Sequence, residues 1–200
     1  MAFSTLFYSK PDVWFLRKVR GLLAAALLAW CGTAAHAQGI HVKSAELILA
    51  ESGYILEANY EITLSHTLEE ALLRGLALHF VTEFELTQSR WWTLGLWDRG
   101  IAELRQQHRL SYNALTHQYR LSFGSLHQNL DSLEDALAVL GRVRQRAGFG
   151  KDEVNPGSAY AAALRLRLDT SLLPKPLQLD ALGSRDWNLA SEWYRWTFKP

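Results

Sequence analysis

The sequence predicts a mainly β fold, an antiparallel β-sandwich of about seven or eight strands with two helices, forming one domain over residues 38–200. Three observations lead there. Residues 54–65, 76–87 and 160–168 alternate apolar and polar side chains with period two, the pattern of a half-buried strand. That alternation leaves one wet face per sheet, which is the antiparallel habit. Only two segments carry helical spacing, and no repeat, low-complexity run or interior linker divides the chain.

Residues 1–37 read as an export signal that is cleaved. Arg17, Lys18 and Arg20 precede an apolar run from Gly21 to Trp30. Ala35-His36-Ala37 then supplies small residues at the −3 and −1 positions, so cleavage is expected between Ala37 and Gln38. The apolar run is roughly half the length needed to cross a bilayer, so no stable transmembrane span is expected after cleavage. Cys31 closes that run, but Trp30 before it is too large for a lipidation site. The expected location is periplasmic or secreted. The leader takes with it Cys31, the sole cysteine, so the mature domain has no disulfide and relies on packing. It also removes Lys10, Arg17, Lys18 and Arg20 against Asp12, which turns a net charge of +1 into −2. A weakly acidic exported domain argues against a nucleic-acid partner.

In chain order, 41–50 is a weaker strand signal, and Ser52-Gly53 suits a tight turn into the strand 54–65. There Tyr54, Leu56, Ala58, Tyr60, Ile62 and Leu64 face one way. Thr67-Leu68-Glu69-Glu70 has the form of a capping box opening a helix that stops near Gly75. In 76–87, Leu76, Leu78, Phe80, Phe84 and Leu86 point inward, and His79, Glu83 and Glu85 outward. Residues 101–112 and 116–123 form a predicted hairpin around Asn113-Ala114-Leu115. A second helix is predicted over about Ser132–Arg146, with Leu133, Ala136, Leu137, Leu140 and Val143 on one stripe. Acids at its start and Arg142, Arg144 and Arg146 at its end suit the helix dipole. Gly148 to Ser158 is the main loop. Strand 160–168 puts Tyr160, Ala162, Leu164, Leu166 and Leu168 opposite Arg165 and Arg167, and 189–198 is a last, weaker strand.

Motifs for most catalytic chemistry are missing. The chain has no G-x-S-x-G elbow and no H-E-x-x-H, and its histidines are scattered. Gly148-Phe149-Gly150-Lys151 lacks phosphate-loop spacing. No metal site, cofactor or catalytic residue is therefore assigned. Glu83 and Glu85 share a strand face about 7 Å apart, which invites comparison with the paired acids of glycosidases; on a wet face they read as solvated.

Two groups have binding potential. Trp91, Trp92 and Trp97 form a dense patch with Arg90, Asp98 and Arg99, and Trp187 lies beside Asp186 near the C-terminus. Exposed tryptophans next to Arg or Asp suit a sugar ring or a partner protein; otherwise they complete the core. Arg105 and Arg109 share a strand face, with Arg120 across the predicted hairpin, and Arg165 and Arg167 make a further row. Such rows suit a carboxylate, a phosphate or an acidic partner, or else are solvated faces paired with acids.

Two stretches carry a resemblance. One is Leu110-Ser111-Tyr112-Asn113-Ala114-Leu115-Thr116-His117-Gln118-Tyr119-Arg120-Leu121-Ser122. The other combines Leu172-Leu173-Pro174-Lys175-Pro176-Leu177-Gln178-Leu179, Ser184-Arg185-Asp186-Trp187-Asn188-Leu189 and Ser191-Glu192-Trp193-Tyr194-Arg195-Trp196. With them the chain resembles the DUF4390 family of small exported proteobacterial proteins, over nearly all of the mature region. The resemblance implies an association with a membrane sensor kinase of the nitrogen-regulation type and carries over no catalytic residue. The function expected is a non-enzymatic interaction or adaptor module with an envelope or membrane protein as partner. The alternatives are an envelope glycan- or lipid-binding module and, third, a hydrolase without a recognised motif.

Overall fold

The computed structural model describes residues 39–51, 53–88 and 99–200. The leader, Ser52 and the segment carrying Trp91, Trp92 and Trp97 lie outside them. The chain runs β1 (Gly39–Ala50), β2 (Gly53–Thr63), α1 (His66–Leu73), β3 (Leu78–Gln88), β4 (Arg99–Asn113), β5 (Gln118–Phe123), β6 (Leu126–Leu130), α2 (Leu133–Leu140), β7 (Arg142–Arg146), β8 (Tyr160–Leu168), α3 (Lys175–Gly183) and β9 (Tyr194–Phe198). The strands form two antiparallel sheets, a three-stranded one ordered β1-β2-β7 and a six-stranded one ordered β6-β5-β4-β3-β8-β9. The fold class is the expected one, with nine strands and three α-helices among the described residues.

The alternating residues do what their period dictates. Leu56, Ala58 and Tyr60 of β2 share one core with Leu78, Phe80, Phe84 and Leu86 of β3 and Leu164 and Leu166 of β8. Each such large side chain taken from water contributes about 1.5–3 kcal/mol. At one end the two sheets are closed by rings: Tyr54 stacks on Phe149 at 4.9 Å and meets the edge of Phe198 at 5.1 Å.

Several elements differ from expectation. The first helix is capped by Ser65 rather than Thr67: the Ser65 hydroxyl accepts from the Leu68 amide at 3.2 Å and donates to the Asp186 carbonyl at 3.0 Å. Thr67 instead reaches the Asp186 carboxylate at 3.3 Å. The second helix, expected to reach Arg146, ends at Leu140, and Arg142–Arg146 is a strand along β2. The break falls at Gly141, whose carbonyl accepts from the Tyr60 amide at 2.7 Å. A Cβ on Gly141 would sit 2.5 Å from the Tyr60 carbonyl oxygen, so only glycine lets the chain turn so close to β2. β6 and α3 are additional elements. β6 follows β5 through Gly124-Ser125, with Gly124 at φ 57°, the conformation a two-residue hairpin asks of its first central residue. α3 starts after Pro174 with Pro176 in its first turn, where a missing N–H costs nothing. In the last segment only Tyr194–Phe198 is strand, with an isolated bridge from Ala190 to Arg167.

Candidate functional site

The outward side chains of β3, β4 and β8 meet on the open face of the large sheet. Register places Glu83 between Arg105 of β4 and Arg165 of β8. Arg165 Nε donates to Glu83 Oε2 at 2.5 Å, and Arg167 reaches Oε1 through Nε at 3.1 Å and Nη2 at 3.0 Å. Arg105 stands 4.0 Å from the same carboxylate. Asp169, just beyond β8, continues the network. It accepts from the Ser171 amide and hydroxyl at 3.2 and 2.6 Å, with Arg105 at 3.8 Å and Arg167 at 3.9 Å. Val81 is fully buried on this same face, flanked by its cross-strand partners Gln107 and Arg167. Long side chains can cover apolar surface in this way while keeping their polar ends outward.

The electrostatics follow from the contacts. Burial pushes the Glu83 carboxyl up, but hydrogen bonds from Arg167 and Arg165, with their charges, outweigh it and hold the pKa below the usual carboxylate range. Asp169 is held low in the same way: burial opposes, while the Ser171 hydrogen bonds and the charges of Arg167 and Arg105 prevail. Both groups are therefore ionised acceptors and poor general acids. Glu85 is exposed opposite Glu103. The expectation that both outward acids are solvated thus holds for Glu85 and fails for Glu83, whose side chain is 13% exposed and enclosed by guanidiniums.

Toward the β9 edge, Trp193 lies under Arg165 at 4.4 Å, with Arg195 at 6.0 Å, an arrangement favoured by the ring quadrupole. Toward the β6 edge, Arg109 pairs across the ladder with His79 on β3 and Ser122 on β5, and Arg120 pairs with Ser111 and Asn129. Among the described residues neither Arg109 nor Arg120 has a carboxylate within salt-bridge distance, and neither has Arg195. The predicted row of Arg105, Arg109 and Arg120 therefore divides: Arg105 belongs to the paired network, and the other two stand diagonally together with their charges free.

The remaining candidates are elsewhere. Trp91, Trp92 and Trp97 lie outside the described residues. Trp187 is 6% exposed and belongs to the core, while Asp186 ties its turn to Ser65 and Thr67. Trp187 also closes one wall of a hollow of about 450 Å³ between α1 and α3, with Ala71, Leu76 and Leu177. No three His, Cys, Asp or Glu side chains among the described residues are placed to hold a metal, and no described helix is long and apolar enough to cross a membrane. The sequence offers Glu83 only as a solvated partner of Glu85 and Trp193 only as one of a C-terminal group of aromatics, and it gives no notice of Asp169. The network's only sequence signal is the i, i+2 spacing of Arg165, Arg167 and Asp169, which shows its meaning once β8 is set against β3.

These features define a two-sheet antiparallel β protein with an arginine-rich open face held in place by two carboxylates, Glu83 mostly enclosed and Asp169 buried. The chain belongs to the family described as "Domain of unknown function (DUF4390)", whose model matches residues 37–197. No curated protein and no solved structure matches it.

Proposed function

We propose that this protein is a non-enzymatic interaction module that works by contact in the cell envelope, using the outer face of its six-stranded sheet. One observation carries the reading. On that face Arg109, Arg120 and Arg195 have no carboxylate partner among the described residues, while neighbouring Arg105, Arg165 and Arg167 are fixed by Glu83 and Asp169. A rigid, cationic, solvent-facing platform steers and orients an acidic partner. The two carboxylates with depressed pKa are suited to holding that platform and unsuited to proton transfer. Export, and a sensor's outer domain as the partner, extend the same reading.

The test is in-cell crosslinking of the full chain followed by mass spectrometry. It compares the wild type with a variant carrying Arg109→Glu, Arg120→Glu and Arg195→Glu. Specific crosslinks to an acidic envelope protein that disappear in the variant support the proposal. A crosslink pattern indifferent to the three reversals counts against it. A second reading, a module that binds an envelope lipid or glycan, draws support from the hollow beside Trp187. It predicts a change in tryptophan fluorescence on titration with lipids or peptidoglycan fragments, and is dropped if none occurs.

A further inference from the structure

We infer that the β6 edge of the outer face is an oxyanion site for a phosphate group; this rests on the reading of that face as the working surface. Arg109 and Ser111 lie two residues apart on β4, Arg120 and Ser122 two apart on β5, and His127 faces Ser122 from β6. These side chains line one hollow of about 340 Å³, together with the Gly124-Ser125 turn. Because Arg109 is opposite Ser122 and Arg120 is two residues from it, the two arginines are diagonal neighbours, about 7–8 Å apart at the backbone. Two long guanidinium side chains from such positions can reach a common point.

The charge balance around the hollow sets the sign of the ligand. Asp131, at the end of this face, accepts from the Gln118 amide at 3.0 Å. Glu83 and Asp169 are committed to Arg105, Arg165 and Arg167. Arg109 and Arg120 therefore confront each other with no carboxylate of the described residues within salt-bridge distance. The acid whose charge acts on His79, beside Arg109, is Asp169, and it is shared with Arg105 and Arg167. An anion between Arg109 and Arg120 relieves their repulsion and gains charge-assisted hydrogen bonds.

The number and spread of donors set its shape. A carboxylate has two oxygens in one plane, and a single guanidinium can saturate both. Here two guanidiniums, the hydroxyls of Ser111, Ser122 and Ser125 and an imidazole line one hollow from three strands and the turn between two of them, a spread that suits a group whose oxygens point tetrahedrally. Ser111 Oγ spends its proton only weakly, on the Arg120 carbonyl at 3.5 Å, and stays available to a ligand. The hollow is open to solvent, so the phosphate can be free or the headgroup of an anionic lipid.

The experiment titrates the folded chain with sodium phosphate at constant ionic strength, following backbone and arginine side-chain NMR signals, with sodium acetate and chloride as controls. Saturable shifts confined to β4, β5 and β6 are expected with phosphate. Affinity should fall about tenfold or more in Arg109→Gln and in Arg120→Gln, given the value of a charge-assisted hydrogen bond. It should be unchanged in Lys43→Gln, on the three-stranded sheet and outside the hollow. Arg109→Lys, which keeps charge and loses the planar fork, should lie in between. Sedimentation with phosphatidylglycerol vesicles separates the sources. Co-sedimentation lost in the two Gln variants identifies a headgroup, and phosphate binding without co-sedimentation identifies a soluble phosphate compound. Absent shifts, or equal shifts with acetate or chloride, overturn the proposal. That result would leave the crosslinking test of the wider face standing, whereas a crosslink pattern indifferent to the three reversals, with phosphate binding intact, would overturn only the protein-partner reading.

Discussion

Glu83 shows how much one side chain can decide. Its carboxylate is the shared acceptor of Arg165 and Arg167 and the near neighbour of Arg105. Glu83→Gln keeps the shape and removes the charge, leaving the three guanidiniums facing one another around a mostly enclosed point. Removing the charge from this part-buried cluster is expected to cost about 1–2 kcal/mol, the lower range for hydrogen bonds to a charged group, read as a lower urea midpoint at pH 7 with unchanged slope. An unshifted midpoint would show that solvent already screens the cluster. The pH dependence has a definite sign. The folded pKa of Glu83 lies below its ordinary value of 4.5, so its contribution is complete above that value and is lost as pH falls through the folded pKa. His108 acts in a separate, higher window. Burial pushes its pKa from 6.5 to about 4, its Nε2 meets Thr82 Oγ1 at 3.2 Å, and its buried Nδ1 has no hydrogen-bond partner among the described residues. Between these two values the unfolded chain takes up a proton that the folded chain refuses. Stability should therefore drop as pH falls from 6.5 toward 4, by about 3 kcal/mol in all. In His108→Leu most of that slope should disappear between pH 6.5 and 4.5, leaving the part that belongs to His79, whose pKa is also lowered by burial and by Arg109, even though the unpaired Thr82 hydroxyl lowers stability at pH 7. A slope undiminished by the substitution would place the titration elsewhere.

Among the elements, the junction of α2 and β7 is the most exacting. Helix and strand meet at Gly141, with the Tyr60 backbone close enough to exclude a Cβ and the Tyr60 amide bonded to the Gly141 carbonyl. Gly141→Ala should force the two apart and cost about 1–3 kcal/mol, as overpacking generally does. Thermal unfolding would measure it; a gain in stability, the usual result of Gly→Ala at a permissive site, would mean that the approach relaxes freely. The same junction shows what the sequence disclosed. The alternation in β2, β3 and β8 placed Leu56, Phe80, Phe84 and Leu164 in the core correctly, because period two leaves little choice of face. Arg142–Arg146 also alternates, with Val143 inward and Arg144 reaching Glu57 at 2.9 Å. The sequence favours helix there because Val143 extends the apolar stripe of α2 and the arginines suit a helix C-terminus. β6 has no strand signal in the sequence because Leu126-His127-Gln128-Asn129-Leu130 is largely exposed and owes its strand to the Gly124 turn. At the site, the arginine rows were visible from their i, i+2 and i+4 spacing. The fate of each arginine was not, since the acid that binds Arg165 lies 82 residues away and reaches it only through register.

Across the whole molecule, strand order grades the rigidity of the working face. β3 sits inside the large sheet, hydrogen-bonded to β4 on one side and β8 on the other, with Phe80, Val81, Thr82 and Phe84 fully buried. Both faces of its central turn of residues are thereby sealed, the inner by the core and the outer around Val81 by the arginine network. β6 is the opposite case: an edge strand of five residues, bonded only to β5, with Leu126–Asn129 exposed. Backbone amides open according to how much packing must be lost to free them. Hydrogen exchange should therefore be slowest in β3, through unfolding of the whole domain, and fastest among the strands of this sheet in β6, through local opening. The paired carboxylates thus stand on the rigid centre of the face, and the free arginines Arg109 and Arg120 stand toward its softer margin. An anion held between β4 and β5 and against His127 joins that margin to the centre. Added phosphate should slow exchange in β5 and β6 and leave β3 unchanged, since global unfolding already governs β3 when binding is weak. Equal protection of β6 and β3 in the free protein, measured by mass spectrometry on peptides spanning 78–88 and 124–130, would contradict the gradient. Uniform slowing of both by phosphate would instead point to stabilisation of the folded state as a whole.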